Sequence, residues 1–167
     1  MLFLCIIHLT TYAQIPGYTL RHIGGQNGLP SSEITVIRQD HKGFVWIGTN
    51  SGLSRYDGYN FENFQYYNQQ RLGFINGIRE LADKSIWIST ETGLFIYRKN
   101  ELIQLKCDEN AIAPFYDIIE KPDGGIYVSG AKGLYDIPKQ ILPEILDAKN
   151  ISLNKFLHPV WSNKKNG

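Results

Sequence analysis

GFVWIGTNSGLSRYDG, residues 43–58, admits two readings. As an isolated motif it offers an indole, a glycine hinge, polar turn residues, and Arg55 and Asp57 for a substrate. As a repeated unit it is the wiring of a strand pair. Self-comparison selects the second. The run ITVIRQDHKGFVWIGTNSGLSRYDGYNFENF, residues 34–64, aligns without a gap on INGIRELADKSIWISTETGLFIYRKNELIQL, residues 75–105. It aligns again on FYDIIEKPDGGIYVSGAKGLYDIPKQILPEI, residues 115–145. Trp46, Trp87 and Tyr127 fall 41 and then 40 residues apart, and Gly52-Leu53, Gly93-Leu94 and Gly133-Leu134 keep the same spacings. A residue that does chemistry has no reason to recur in every unit, so these positions are assigned to structure.

A period near 40 residues belongs to propellers or helical solenoids. Each copy holds short apolar runs separated by turn chemistry. In the first they are 35–39, 44–49, 53–56 and 59–66, with turns at Asp40-His41-Lys42-Gly43, Asn50-Ser51-Gly52 and Asp57-Gly58. Such Gly-containing connections are hairpin signals, and no copy carries a helical apolar period long enough for two helices. The expected fold is all-β: a partial β-propeller of about three four-stranded antiparallel blades, an incoming strand and the start of a fourth blade. The expected bounds are 14–33 for the incoming strand and lead-in loop, 34–74 for blade 1, 75–114 for blade 2, 115–157 for blade 3 and 158–167 for a truncated blade 4. Middle strands of a blade are covered on both faces, which suits the unbroken apolar run Phe44-Val45-Trp46-Ile47. Gly48 is expected to admit a neighbouring backbone, and Gly52 to supply a positive φ at its turn. Pro138 and Pro143 fall where the outer strand of blade 3 should run, and the segment around them has the makings of a short helix.

Composition narrows the function. Lys and Arg total 17 against 16 Asp and Glu, with no long run of one sign, which removes the electrostatic footprint of a nucleic-acid binder. MLFLCIIHLTTYA, residues 1–13, has the apolar run and small terminal residues of a secretory signal peptide, although no Lys or Arg precedes the run. Export is therefore expected. Of the two cysteines, Cys5 lies in that segment and Cys107 is left alone, so neither a disulfide framework nor a cysteine zinc site is available.

The run NGLPSSEITVIRQDHKGFVWIGTNSGLSRYDGYNF resembles the two-component regulator propeller repeat. The match rests on Asn27-Gly28-Leu29-Pro30, the Asp40–Gly43 turn, Trp46–Thr49 and Gly52–Asp57. The second copy departs at Ser89 and lacks glycine in its Asp83-Lys84 turn; the third has Tyr127 for Trp and Gly130 for Thr. The resemblance covers about residues 18–137. It implies a periplasmic sensor region of a sensor histidine kinase, with closing blades, a membrane anchor, a kinase core and a dimeric parent elsewhere in a longer chain. It makes YTLRHI, residues 18–23, the incoming strand. VWSNKKNG, residues 160–167, aligns with 36–43, so three and a fraction blades are expected to form an unstable open arc when expressed alone.

No catalytic, metal or cofactor residues are assigned. Ser31, Ser32, His41 and Asp57 supply the letters of a triad without its geometry. Asp40, His41, Asp57 and Asp123 suit turns, no calcium loop is present, and Gly24-Gly25-Gln26-Asn27-Gly28 lacks the setting of a phosphate cradle. Carboxylates from different blades leave a propeller glycosidase or lyase as the least favoured reading. Binding is favoured, at the end built from the second-to-third-strand turns and the connections between blades. Those turns are Asn50-Ser51, Glu91-Thr92 and Ala131-Lys132, and the first connection holds Tyr66, Tyr67 and Arg71. Flat rings beside Asn, Gln and Arg suit a small-molecule, oligosaccharide or peptide ligand. Two functions stand: a periplasmic ligand-sensing segment of a two-component sensor, and an exported propeller that serves as a binding or assembly module without a kinase.

Overall fold

The computed structural model describes residues 19–105 and 114–147. The expected signal peptide at 1–13, Tyr18, Cys5, Cys107 and the expected fourth-blade start at 158–167 lie outside the described residues.

Three sheets follow one another along the chain. The first runs β1 (Ile34–Gln39), β2 (Val45–Thr49), β3 (Gly52–Tyr56), β4 (Phe61–Phe64), in that spatial order. A small ribbon of β5 (Tyr66–Tyr67) and β6 (Gln70–Arg71) occupies the connection to the second sheet, where the sequence suggested a loop. The second sheet is β7 (Ile75–Glu80), β8 (Ile86–Thr90), β9 (Leu94–Arg98) and β10 (Glu101–Leu105). The third holds β11 (Phe115–Glu120), β12 (Ile126–Gly130) and β13 (Gly133–Ile137). All pairs are antiparallel, and the inner strands β1, β7 and β11 lie side by side. The fold is a partial β-propeller.

Two expectations change. The third blade has three strands among the described residues, not four. After β13 the chain enters a 3₁₀ turn, Lys139–Ile141, and the short helix α1 (Leu142–Asp147). Pro138 donates no ladder hydrogen bond, and Pro143 sits in the first turn of α1, where its missing N–H leaves nothing unsatisfied. Residues 19–23 form no strand, because an incoming strand needs a ladder partner and no described strand runs beside them.

Period-2 alternation gives each sheet two faces, and the repeat aims them consistently. The row Arg38-Trp46-Arg55-Glu62 of the first sheet faces the second, and Arg79-Trp87-Ile96 of the second faces the third. The opposite row of each sheet, Ile78-Ile88-Phe95 and then Ile118-Val128-Tyr135, faces back. Trp46 and Trp87 are therefore each buried by a neighbouring sheet. Tyr127, third in the series, lies in the forward row of the third sheet, where Ile119 is exposed.

Hydrogen bonds repeat with the packing. Each inner strand has a register shift at the same place, around Thr35, Asn76 and Tyr116. Such a bulge re-aims its side chain. Thr35 Oγ1 donates to the carbonyl of Ile75 at 2.6 Å, and Asn76 Nδ2 to that of Phe115 at 2.7 Å. At the far end of the strands the amides of His41 and Ala82 donate to Glu80 at 3.0 Å and Glu120 at 3.3 Å. Pro122 holds the next place in that series and has no N–H to give.

Gly52 has the expected positive φ of 133°. Gly48 is required for a different reason from the one expected. A Cβ there would fall 2.6 Å from Val36 Cγ1 and 2.7 Å from Ile75 Cγ2, so side chains, not backbone, close on it. Trp87→Ala is expected to lower unfolding free energy by about 3–5 kcal/mol, read from the urea midpoint. Gly48→Ala is expected to cost about 1–3 kcal/mol through overpacking, by the same measurement.

Candidate functional site

The sequence-predicted ligand residues all gather at one end of the sheets. The turn after β2 is closed by a threonine hydroxyl: Thr49 Oγ1 accepts from the Ser51 amide and donates to the Gly52 carbonyl, and Thr90 repeats this with Thr92 and Gly93. Each turn is also tied to the lead-in of its own sheet, through Asn50 N to Glu33 O, Glu91 N to Phe74 O and Ala131 N to Pro114 O. Asn50 Nδ2 donates to Glu33 Oε2 at 2.6 Å, and Ser51 Oγ to Asn50 Oδ1 at 2.8 Å. These side chains already have partners. Glu91 and Lys132 are exposed, and among the described residues no hydrogen bond or ion pair joins Asn50, Ser51 and Lys132 to one another across sheets.

What the structure does bring together is the ribbon and the second sheet. Thr92 Oγ1 donates to the Leu72 carbonyl at 3.0 Å. Gly73, at φ 69°, leaves the room taken by the Glu91 carboxylate, since a Cβ would meet Oε1 at 1.9 Å. Tyr67 packs inward on Phe95 with ring centroids 5.6 Å apart, while Tyr66 points out with its ring 5.9 Å from the Arg71 guanidinium. A hydrogen bond to the Tyr66 hydroxyl holds Arg71 above its ordinary pKa. The result is an exposed aromatic-guanidinium pair on a rigid mount.

The opposite end carries a feature that sequence reasoning missed. A cleft of about 390 Å³ lies between the first and second sheets, lined by the turns 40–44, 83–84 and 98–100. Arg55 crosses its floor. Its guanidinium lies 4.5 Å from the Phe44 ring centroid, pairs with Glu62 Oε2 at 2.7 Å and donates from Nη1 to the Tyr97 hydroxyl at 2.8 Å. Trp46 donates from Nε1 to Asp40 Oδ2 at 2.8 Å and meets Tyr97 edge to face at 4.8 Å. Two features of the sequence could have revealed it: the absence of glycine from the Asp83-Lys84 turn, noted above only as a departure from the repeat, and Lys99-Asn100 between two strands, which was not singled out. Lys84, Lys99 and Asn100 all have positive φ, at 69°, 51° and 63°.

Catalytic letters are not assembled. Ser31 Oγ accepts from the Glu33 amide, Ser32 Oγ from Gly25, and Asp57 Oδ1 from the amides of Tyr59 and Asn60, while His41 contacts Glu80. Those two amides hold the Asp57 carboxyl below its ordinary pKa. Among the described residues no group of three or more His, Cys, Asp or Glu side chains is placed to hold a metal, and no helix is long and apolar enough to cross a membrane.

Burial, more than any nearby charge, pushes the Tyr97 phenol above its ordinary pKa. The unfolded chain releases that proton near pH 10 while the folded chain retains it, so this group adds nothing to the pH dependence below about 10 and lowers stability above it. Tyr97→Phe is expected to cost about 1 kcal/mol at neutral pH, from the lost Arg55 acceptor. It is also expected to flatten the fall in stability above pH 10, checked by urea unfolding across that range.

Residues 28–51 match a family model described as two component regulator propeller. No curated protein matches the sequence. Among solved structures, the extracellular domain of the hybrid two component system BT4673 from B. thetaiotaomicron is 25% identical with a TM-score of 0.54, over 66% of this chain and 16% of that one. The extracellular domain of the hybrid two component system BT3049 from the same organism is 24% identical with a TM-score of 0.53, over 66% and 15%. A catalytically inactive virginiamycin B lyase from Staphylococcus aureus, solved with quinupristin, shares the fold at 14% identity and a TM-score of 0.50, over 64% and 38%. The chain thus spans under a fifth of the two-component domains it matches. The described residues form a partial β-propeller whose residues 28–51 are similar to the two component regulator propeller family and whose fold is similar to that of extracellular domains of two component systems.

Proposed function

We propose that the chain is part of an exported, periplasmic ligand-sensing propeller whose parent is a membrane-anchored, dimeric sensor histidine kinase, and that the chain itself carries no catalysis. The observation that carries this reading is the family match at residues 28–51 taken with the 25% identity to the extracellular domain of a hybrid two component system. The ligand, a small molecule, oligosaccharide or peptide, is engaged at the end that holds the β5–β6 ribbon. Tyr66 offers a flat ring and Arg71 a directed donor beside it, the pairing that suits a sugar ring or a peptide backbone. The turns Asn50-Ser51, Glu91-Thr92 and Lys132 frame that end as secondary contacts. A ligand that touches both the ribbon and the second sheet favours one packing of the two sheets over others, which is the differential affinity a sensor needs.

A glycan and peptide array probed with the whole extracellular region tests the site. Tyr66→Ala and Arg71→Ala are each expected to weaken the best hit by about tenfold, equivalent to roughly 1.4 kcal/mol. Variants that bind like the wild type remove the ribbon from the site. The reading frame downstream of Gly167 tests the parent: a transmembrane helix and kinase core support it. A stop codon after closing blades replaces it with an exported binding module.

A further inference from the structure

The cleft between the first and second sheets lies at the end opposite the ribbon, and its charges are unevenly committed. Asp40 Oδ1 accepts from the amides of Lys42 and Phe44, and its Oδ2 from Trp46. Asp83 Oδ1 accepts from the amide and hydroxyl of Ser85. Glu62 is paired with Arg55. Asp40 and Asp83 thus hold the turns of the cleft and keep their negative charge, while Glu62 is matched by Arg55. Lys42, Lys84 and Lys99 are exposed on its walls, and among the described residues none of the three has an ion-pair partner. With Arg55 paired to Glu62, these three ammonium groups outnumber the two carboxylates of the lining, Asp40 and Asp83, so the concavity keeps a net positive charge.

The backbone adds a second, independent observation. The position of Lys84 is held by Gly43 in the first sheet and Gly124 in the third, at φ 87° and 84°. Glycine adopts that conformation without penalty, and a lysine does not. Lys99 repeats the anomaly across the cleft. Two cations are therefore kept, at a conformational cost, on two turns that face the same space.

The neighbouring inter-sheet cleft shows that this is not a general property of that end. Between the second and third sheets the same position is walled by Leu81, Leu142, Pro143 and Leu146, with α1 in place of a polar hairpin, and its charged lining is one lysine, Lys139, against two acids, Asp83 and Glu120.

We propose that the cleft between the first two sheets binds a small organic polyanion. Its acidic groups meet Lys42, Lys84 and Lys99, and its carbon body lies against Phe44 and the Arg55 guanidinium stacked on it. Arg55, already committed to Glu62 and Tyr97, contributes its stacked face and not a free fork. The proposal stands apart from the site at the ribbon end and uses none of its residues.

Titration calorimetry on the full chain tests it, with citrate, sucrose octasulfate and inositol hexakisphosphate as carboxylate, sulfate and phosphate arms and sucrose as the neutral control. At least one polyanion is expected to bind while sucrose does not, and affinity is expected to fall about tenfold or more between low and moderate salt. Lys84→Gly with Lys99→Gly is expected to weaken that binding at least about tenfold while the thermal midpoint holds or rises, because both glycines relieve a left-handed lysine. The rise separates a lost site from a damaged fold. Equal binding by the double variant overturns the proposal, as does the absence of polyanion binding up to about 10 mM, a Kd that would supply under 3 kcal/mol.

Discussion

Trp87 is buried by residues of two sheets at once, and the rest of the structure depends on that arrangement. A lone four-stranded sheet of this sequence would leave an apolar row exposed on each face. Leu94 and Ile96 reach the third sheet, while Ile78, Ile88 and Phe95 reach the first. None of these sheets is a domain in its own right. Stability is a sum of nearest-neighbour interfaces, and each interface is assembled from the forward row of one sheet and the backward row of the next. The polar bonds obey the same rule: Thr35 and Asn76 donate forward across the inner strands, and Glu80 and Glu120 accept from the preceding turn.

The repeat made most of this legible before any coordinates. Strand bounds, turn positions and the burial of Trp46 and Trp87 follow from alternation and from the alignment of three copies. What the sequence could not carry was compensation between partners. Ser89 departs from the glycine expected at that position, and across the ladder Gly77 replaces the valine found at Val36. Bulk has moved from one strand to its neighbour: Val36 closes on Gly48, and Ser89 Oγ closes on Gly77 and reaches the Tyr116 carbonyl at 3.1 Å. Read one position at a time, each is a blemish in a motif. Read as a pair, they conserve volume, which is what a close-packed interior requires.

The end proposed for binding was legible only as a place. Alignment put Asn50-Ser51, Glu91-Thr92 and Ala131-Lys132 in equivalent turns. It gave no sign that Asn50 would be held by Glu33 or that Thr92 would brace Leu72. Side chains that look available in a turn were spent on keeping the turn. The opposite end was missed because its residues come from turns far apart in sequence, and each of those turns has a sufficient local explanation. Only their convergence on one cleft separates Lys84 and Lys99 from ordinary surface lysines.

The two proposed binding sites rest on atoms of one core. Tyr67 and Phe95 hold the ribbon that presents Tyr66, and both belong to the core between the first two sheets. Tyr97 belongs to that same core and forms part of the floor of the opposite cleft, where it accepts from Arg55. A ligand at either end therefore bears on a single interface, the one sealed by Trp46, Phe64, Phe95 and Tyr97. Rings in such an interface interlock at close-packed density, so a loss of volume at any one of them is felt by its neighbours. The first sheet is tied to the second, and the second to the third, along the inner strands through the Thr35 and Asn76 hydrogen bonds. These bonds tie the start of each sheet to the start of the next. In a propeller built this way, the surfaces that hold the blades together also line its clefts, so a substitution at a cleft floor such as Tyr97 acts on blade packing as well.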